Sequence, residues 1–365
     1  MIRDKVTALQ FMSAKPVVVV GGMPLAARVY GLLSQAGVRV LAAKTYDERV
    51  SASVVVEATG GLAPAFDTAM RALAAGVPCV SASELLVGVH GAALANAAAG
   101  QGTGFYFGAA LGPLQPLAGW LAEGQVRRVA LAVPDAPNMV LSRMLARGED
   151  ADTARARLEV EGFDMGDAGG KQAVLRGLAV QHAMGCRMVP REAVRQGVEM
   201  VDAAFLAGLR RFGASPVHGV VLADGMVRAG VMAVPAGHVL EHGFMRQVVE
   251  IESGFGTQTL QAEVVEEEAT AQAVVADVRR ALAARRHGVM GAASAWAQAR
   301  PVLWWVQVPY AERGAVLEQA TLLEDNMLGD GSWSAVVKAE RAPQGCVAVP
   351  YMAEDVAGVT LRLVG

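Results

Sequence analysis

Apolar residues in this chain fall first into short, nearly continuous runs: Pro16–Val20, Val38–Ala42, Val54–Val56, Val77–Val80 and Phe105–Phe107. Between them lie helix-length stretches rich in alanine and leucine, one ending at Ala75 and one running from Leu85 to Ala99. Small-residue turns punctuate the series at Gly21-Gly22, Thr59-Gly60-Gly61 and Ser81-Ala82-Ser83. A strand that is apolar at every position is buried on both faces. The pattern therefore predicts a parallel sheet covered by helices on each side, with any ligand at the strand ends.

The period changes later in the chain. Val126–Val133 reads as a strand, followed by a helix to Ala146 and helices over Asp152–Val160, Lys171–Met184 and Met200–Phe212. Pro216–Ala223, Met226–Val234 and Val248–Val265 alternate apolar with polar residues, the signature of antiparallel strands in a second sheet. Ala292–Arg300 reads as a linker helix. Residues 301–365 then form a third unit, with strands Val302–Val308, Trp333–Lys338, Gly345–Val349 and Val359–Val364, a helix Ala311–Leu323 and a weak helix Ala353–Ala357. Residues 1–14 read as a short helix or an extended lead-in.

A chain of 365 residues has room for two or three domains. Hydrophobic content of 53% against 18% charged is high, yet no run approaches the roughly 18–20 apolar residues of a membrane span. The apolarity is alanine and valine dispersed along the chain, which suits a well-buried α/β protein. No basic region leads into an apolar core at the N-terminus, so a cytoplasmic location is expected. Cys79, Cys186 and Cys346 lie far apart, with neither metal-ligand nor disulfide spacing, and His218, His238 and His242 show no repeated ligand spacing. A net charge of −3 and the lack of a basic-aromatic patch argue against a nucleic-acid partner.

Gly21-Gly22-Met23-Pro24-Leu25-Ala26 stands where the first strand of a dinucleotide-binding unit turns into its helix. The usual G-x-G-x-x-G places its glycines for a tight turn, for approach to the pyrophosphate and for helix packing. Here those places hold Gly21, Met23 and Ala26. Met23 would crowd a pyrophosphate and Pro24 removes a backbone donor, so a strand–helix turn that binds nothing is an equal alternative. Ala43-Lys44 follows the second strand where an acid would bind a ribose hydroxyl. A lysine there favours NADP(H) over NAD(H), if either binds.

Three further runs, in this order, carry a resemblance: Val54–Gly61, Ala75–Gly91 and Phe107–Pro116. They resemble "VVVE-hydrophobic-x-GG", "AG-x-x-VV-T-A-N-K-x-LL-x-x-HG" and "F-x-x-S-V-G-G-G-x-P" of the homoserine dehydrogenases, and the likeness continues to about Val278. The resemblance implies an α/β fold in three parts. These are a Rossmann-like dinucleotide-binding domain at 1–118 with a return segment at 264–290, an α+β substrate and dimerisation domain at 119–263, and a small C-terminal α+β unit at 291–365, loosely ACT-like. It also implies a homodimer and a small-molecule substrate of the aspartate semialdehyde–homoserine type.

Carried over residue by residue, the resemblance makes Gly21, Gly22, Ala26, Lys44, Thr59, Gly60 and Ser81 the cofactor-binding candidates. Lys171 would polarise a carbonyl or relay a proton, and Asp167, four residues earlier, would orient it. Asn138 and Asp164 would contact substrate. The departures are as specific. Glu84 stands where the family has a catalytic lysine, and a carboxylate cannot stabilise a developing alkoxide. Its other reading is a helix N-terminal acid favoured by the dipole. Pro134-Asp135-Ala136-Pro137 replaces a polar substrate loop, leaving Asn138 as substrate contact or helix cap. Glu266-Glu267-Glu268 replaces a glycine segment near the cofactor, where it would repel an anionic dinucleotide or simply start a helix. Two readings follow: a homoserine-dehydrogenase-like oxidoreductase, its substrate retained or changed, and a non-catalytic homologue acting as a regulatory, binding or complex-forming subunit; the absence of any cofactor stays open beside NADP(H).

Overall fold

The computed structural model describes residues 15–352 except 23, 118–120, 122–125, 168, 186–192, 224, 245, 264–266 and 284–301. The expected elements at 1–14, Ala292–Arg300, Ala353–Ala357 and Val359–Val364 lie outside those residues.

The valine-rich runs form β1 (Val17–Val20), β2 (Val40–Ala43), β3 (Val54–Glu57), β4 (Cys79–Ser81) and β5 (Phe105–Tyr106). They assemble as a parallel sheet in the order β2-β1-β3-β4-β5. Alternation within each run divides the core. Val17, Val19, Val54 and Val56 face α1 (Pro24–Gln35) and α8 (Glu267–Ala283), whereas Val18, Val20 and Val55 face α2 (Leu62–Ala74) and α3 (Glu84–Gly100). β2 begins two residues later than expected, and its outer position leaves Leu41 exposed. The chain order reverses between β1 and β3, which opens a crevice at their carboxyl ends.

After a kinked 3₁₀ run over Gly108–Leu117, the second sheet takes the order β11-β10-β6-β8-β9-β7. Its strands are β6 (Val126–Ala132), β7 (Val194–Arg195), β8 (Ala214–Ala223), β9 (Met226–Pro235), β10 (Gln247–Ser253) and β11 (Gly256–Ala262). The single strand expected over 248–265 is thus a hairpin, turned at Gly254-Phe255, because glycines on both sides of Phe255 supply the turn. Helices α4 (Ala136–Arg147), α5 (Ala151–Val160), α6 (Lys171–Ala183) and α7 (Ala203–Arg211) accompany it. Gly88 and Gly91 of α3 let that helix press on Leu175 and His182 of α6, so one core runs through both sheets.

The third sheet is antiparallel, in the order β13-β14-β12-β15, from β12 (Val302–Pro309), β13 (Thr321–Met327), β14 (Ser332–Ala339) and β15 (Val347–Pro350). The helix expected over Ala311–Leu323 is only α9 (Arg313–Leu317), and Leu322 and Leu323 belong to the edge strand β13. Alternation again sorts the side chains. Trp304 and Trp333 fill this unit's own core, while Trp305 turns the other way, edge-on to Phe205 of α7 at 5.0 Å.

Two buried carboxylates lie at structural junctions. Asp277 of α8 accepts from Ala109 N–H and pairs with Arg280, tying the return helix to the turn that leaves the first sheet. Burial raises its pKa despite those bonds. Glu250 of β10 is held by Arg128 at 2.8 Å and His238 at 3.1 Å. Burial acts to raise its pKa, but the His238 hydrogen bond and the Arg128 charge outweigh that and lower it.

The two should act oppositely on acid stability. Glu250, its pKa depressed on folding, contributes stability that is present above its unfolded value and lost as pH falls through the folded one. Glu250→Gln should therefore flatten the fall in urea-unfolding free energy below about pH 5. Asp277→Ala, by leaving the Ala109 N–H unpaired, should cost about 1–3 kcal/mol in the same measurement.

Candidate functional site

The crevice at the sheet's carboxyl edge is built first by Gly21. Its N–H donates to the Ala43 carbonyl, while the Ala58 N–H donates to the Val20 carbonyl, drawing the ends of β1, β2 and β3 together. A Cβ on Gly21 would lie 1.9 Å from the Ala58 carbonyl oxygen, so only glycine fits. A Cβ on Gly22 would meet nothing within 4 Å. Open space therefore lies above the turn, at the start of α1, where Ala26 is buried against the sheet. Met23 lies outside the described residues. Lys44 is exposed just past β2.

Glu57, the last residue of β3, is the hub of this edge. Its buried carboxylate accepts from Thr59 N–H and Thr59 Oγ1–H at 2.8 Å each and from Ser81 Oγ–H at 2.6 Å. Ser81 Oγ accepts in turn from Ser83 N–H, and Ser83 caps α3 by accepting from Leu86 N–H. The candidates Thr59 and Ser81 thus spend their hydroxyl protons inside the protein, and Gly60 follows in the same turn.

Glu84 opens α3, and its carboxylate accepts from Arg176 Nε of α6 at 2.9 Å. A guanidinium from the opposite helix therefore stands beside the position where the resemblance expects a lysine. The glutamates of the return segment are likewise paired: Glu268 with Arg28 of α1 at 2.8 Å, and Glu267 with the same arginine at 3.6 Å. The expected repulsion of an anion is correspondingly reduced. Glu266 lies outside the described residues.

The substrate-side candidates divide. Asp167 does not share a helix face with Lys171. It precedes α6 and caps it, accepting from the N–H groups of Lys171 and Gln172 at 2.8 Å each, and Lys171 is exposed. Asn138 is not the cap of α4; Asp135 is, accepting from Asn138 N–H. Asn138 is fully buried. Its amide donates to the carbonyls of Val133 and His218 and accepts from His218 N–H, in place of the strand that β6 no longer provides past Ala132. Asp164 is exposed and accepts from Gly166 N–H. Met165 beside it is in the core.

Sequence reasoning gave no site role to four residues: Glu57, Arg176, Asp135 and His218. Two had signals, a carboxylate ending an apolar strand and a histidine within the strand Val217–Leu222. Arg176 had none, because its partner is 92 residues away in the chain. A separate cleft of about 550 Å³ lies between α4, α5 and α7, away from this edge. Its Asp150 and Asp202 are helix caps and its Glu149 is paired with Arg143 and Arg157. Among the described residues no group of three or more His, Cys, Asp and Glu is placed to hold a metal, and no helix is long and apolar enough to cross a membrane.

No family model matches the chain. Over 182 residues it is 30% identical to the homoserine dehydrogenase of Corynebacterium glutamicum, a match spanning 46% of this chain and 39% of that protein. Over 206 residues it is 28% identical to that of Mycobacterium leprae, spanning 52% and 46%. The matches thus span less than half the length of these curated relatives. The structure of S. aureus homoserine dehydrogenase at pH 7.0 superposes with a TM-score of 0.74, covering 93% of this chain and 99% of that one at 14% identity. The Thiobacillus denitrificans enzyme gives 0.74, covering 93% and 98% at 17% identity. The chain is thus similar to homoserine dehydrogenases over about half of its sequence, and it shares their fold. A hyperthermophilic archaeal homoserine dehydrogenase mutant in complex with NADPH shares the fold at a TM-score of 0.61, covering 73% of this chain and 97% of its own, at 15% identity.

Gly21→Ala should be among the most damaging single-methyl changes in this chain. Forcing a Cβ into the Ala58 carbonyl should destabilise it by about 3 kcal/mol, read as a lowered urea midpoint.

Proposed function

We propose that this chain is a nicotinamide-dependent oxidoreductase acting on a small amino-acid aldehyde or alcohol, of the aspartate semialdehyde–homoserine kind, with NADP(H) preferred. The supporting observation is the crevice at the β1–β3 reversal. There Gly21 permits the close turn, Gly22 leaves room above it, Lys44 lies at the neighbouring strand end, and Arg28 balances part of the nearby acidic charge. Gly21, Gly22 and Gly60 would hold the dinucleotide, with Lys44 toward a 2′-phosphate. Bound there, the nicotinamide supplies hydride transfer. The Lys171 ammonium polarises the substrate carbonyl, and Asp167 sets where Lys171 begins its helix. The same proposal makes the chain a cytoplasmic homodimer with the domain boundaries given above. It takes the third sheet, with strand order β13-β14-β12-β15, as a small-molecule-sensing unit of the ACT kind.

The second reading, a homologue that binds without turnover, is favoured by one observation. Thr59, Ser81, Asn138 and Glu84 are each engaged by internal partners.

Calorimetric titration with NADPH and NADH separates the readings. Micromolar binding of NADPH, tighter than NADH, with reduction of NADP⁺ by L-homoserine, is the expected result. No binding at millimolar cofactor would sink the oxidoreductase reading. Because Arg28 already offsets much of their charge, Glu267→Gln with Glu268→Gln should change NADPH affinity by less than about threefold.

A further inference from the structure

His218 stands on the face of β8 turned toward α6, and none of its side chain is exposed. Both ring nitrogens lack a hydrogen-bond partner. Leaving a buried polar atom unpaired is costly, so a site that does so twice on one ring needs a reason. The surroundings hold the residue firmly. Asn138 clamps its backbone on both sides, through His218 N–H and the His218 carbonyl. Asp135, the cap of α4, places a carboxylate oxygen 3.8 Å from Nδ1, just beyond hydrogen-bond reach. On the other side, Nε2 would be 2.6 Å from a Cβ on Gly170, so the ring lies directly under the turn that begins α6. That turn is Gly169-Gly170, with Gly170 in the left-handed region at φ 71°, and it leads from Asp167 to Lys171. The ring therefore lies between the N-terminal turns of α4 and α6, beside the substrate-side candidates.

We propose that His218 and Asp135 form the polar pair that receives the hydroxyl or carbonyl end of the substrate, with His218 Nε2 exchanging its proton. This rests on the oxidoreductase reading above. In the oxidative direction the hydride leaves the alcohol carbon for the oxidised nicotinamide and the hydroxyl proton passes to Nε2. The C–H and O–H bonds break as the C=O bond forms. In the reductive direction the imidazolium returns that proton to the alkoxide oxygen. In this proposal a small closure of the 3.8 Å gap lets Nδ1–H donate to Asp135, which orients the ring, and access of the substrate to Nε2 requires the Gly169-Gly170 turn to shift.

The test uses the full chain with ¹⁵N-labelled histidine, NADP⁺ and L-homoserine. The ring ¹⁵N signals of His218, assigned by their loss in His218→Gln, should shift when L-homoserine is added to the NADP⁺-bound protein and not with NADP⁺ alone. His218→Gln should lower kcat by about 10²-fold or more and remove one limb of its pH profile, with NADP⁺ affinity within about twofold of the parent. Asp135→Asn keeps a good helix cap and so keeps the fold, and it should also lower kcat. His218 signals indifferent to L-homoserine would overturn the proposal and leave the ring to packing or a resident water. So would parental turnover in either variant. Signals that shift in a chain that turns nothing over would support the binding half, defeat the proton transfer and with it the oxidoreductase reading.

Discussion

A buried carboxylate holds the two crossings of this chain together. The chain leaves the parallel sheet once at Phe107–Ala109 and returns to it once in α8, and Asp277 bonds the first crossing to the second. Gly108 permits this, since a Cβ there would lie 2.7 Å from the Asp277 carboxylate. With the crossings joined, the second sheet must present α6 to α3, and the small residues of α3 let the helices meet. In the proposed reading the crevice at the sheet edge and the α6 N-terminus are the two walls of one site, drawn from segments far apart in sequence.

Within that site, charge is arranged by pairs that span elements. Arg176 answers Glu84 from the opposite helix, and Arg28 answers Glu267 and Glu268 from the neighbouring one. These pairs are partly exposed, so each adds modestly to stability. Their larger effect is on the local potential, which differs from what either segment suggests alone. Helix caps do similar work at shorter range. Asp135 and Asp167 bond the first N–H groups of α4 and α6, and Asp135 in doing so brings a carboxylate to within 3.8 Å of a buried imidazole.

The third sheet adds a lesson in how burial sorts adjacent aromatics. Trp304 and Trp305 are neighbours in the chain, yet they serve different cores, one internal to the unit and one shared with α7. Alternation along a strand is enough to do this once both faces are covered. The helix expected over Ala311–Leu323 yields a strand at its end for another reason, since this edge strand stays exposed. Pairing with β14 sets Leu322 opposite Val337, and Leu323 falls at the register shift that follows, so edge pairing decides this segment and intrinsic preference does not.

The sequence by itself determined the parallel sheet and its helices, because continuous valine runs and glycine turns are local signals that tertiary packing only reinforces. It also located Gly21 and the α6 N-terminus. It did not reveal that Asn138 stands in for a missing strand neighbour, or that Asp167 is a cap. Nor did it reveal that Glu84 has a guanidinium at hand, or that His218 is buried with both ring nitrogens unpaired. Each of those depends on an atom supplied by another element, and whether a polar group is free or consumed is settled only when the elements have packed.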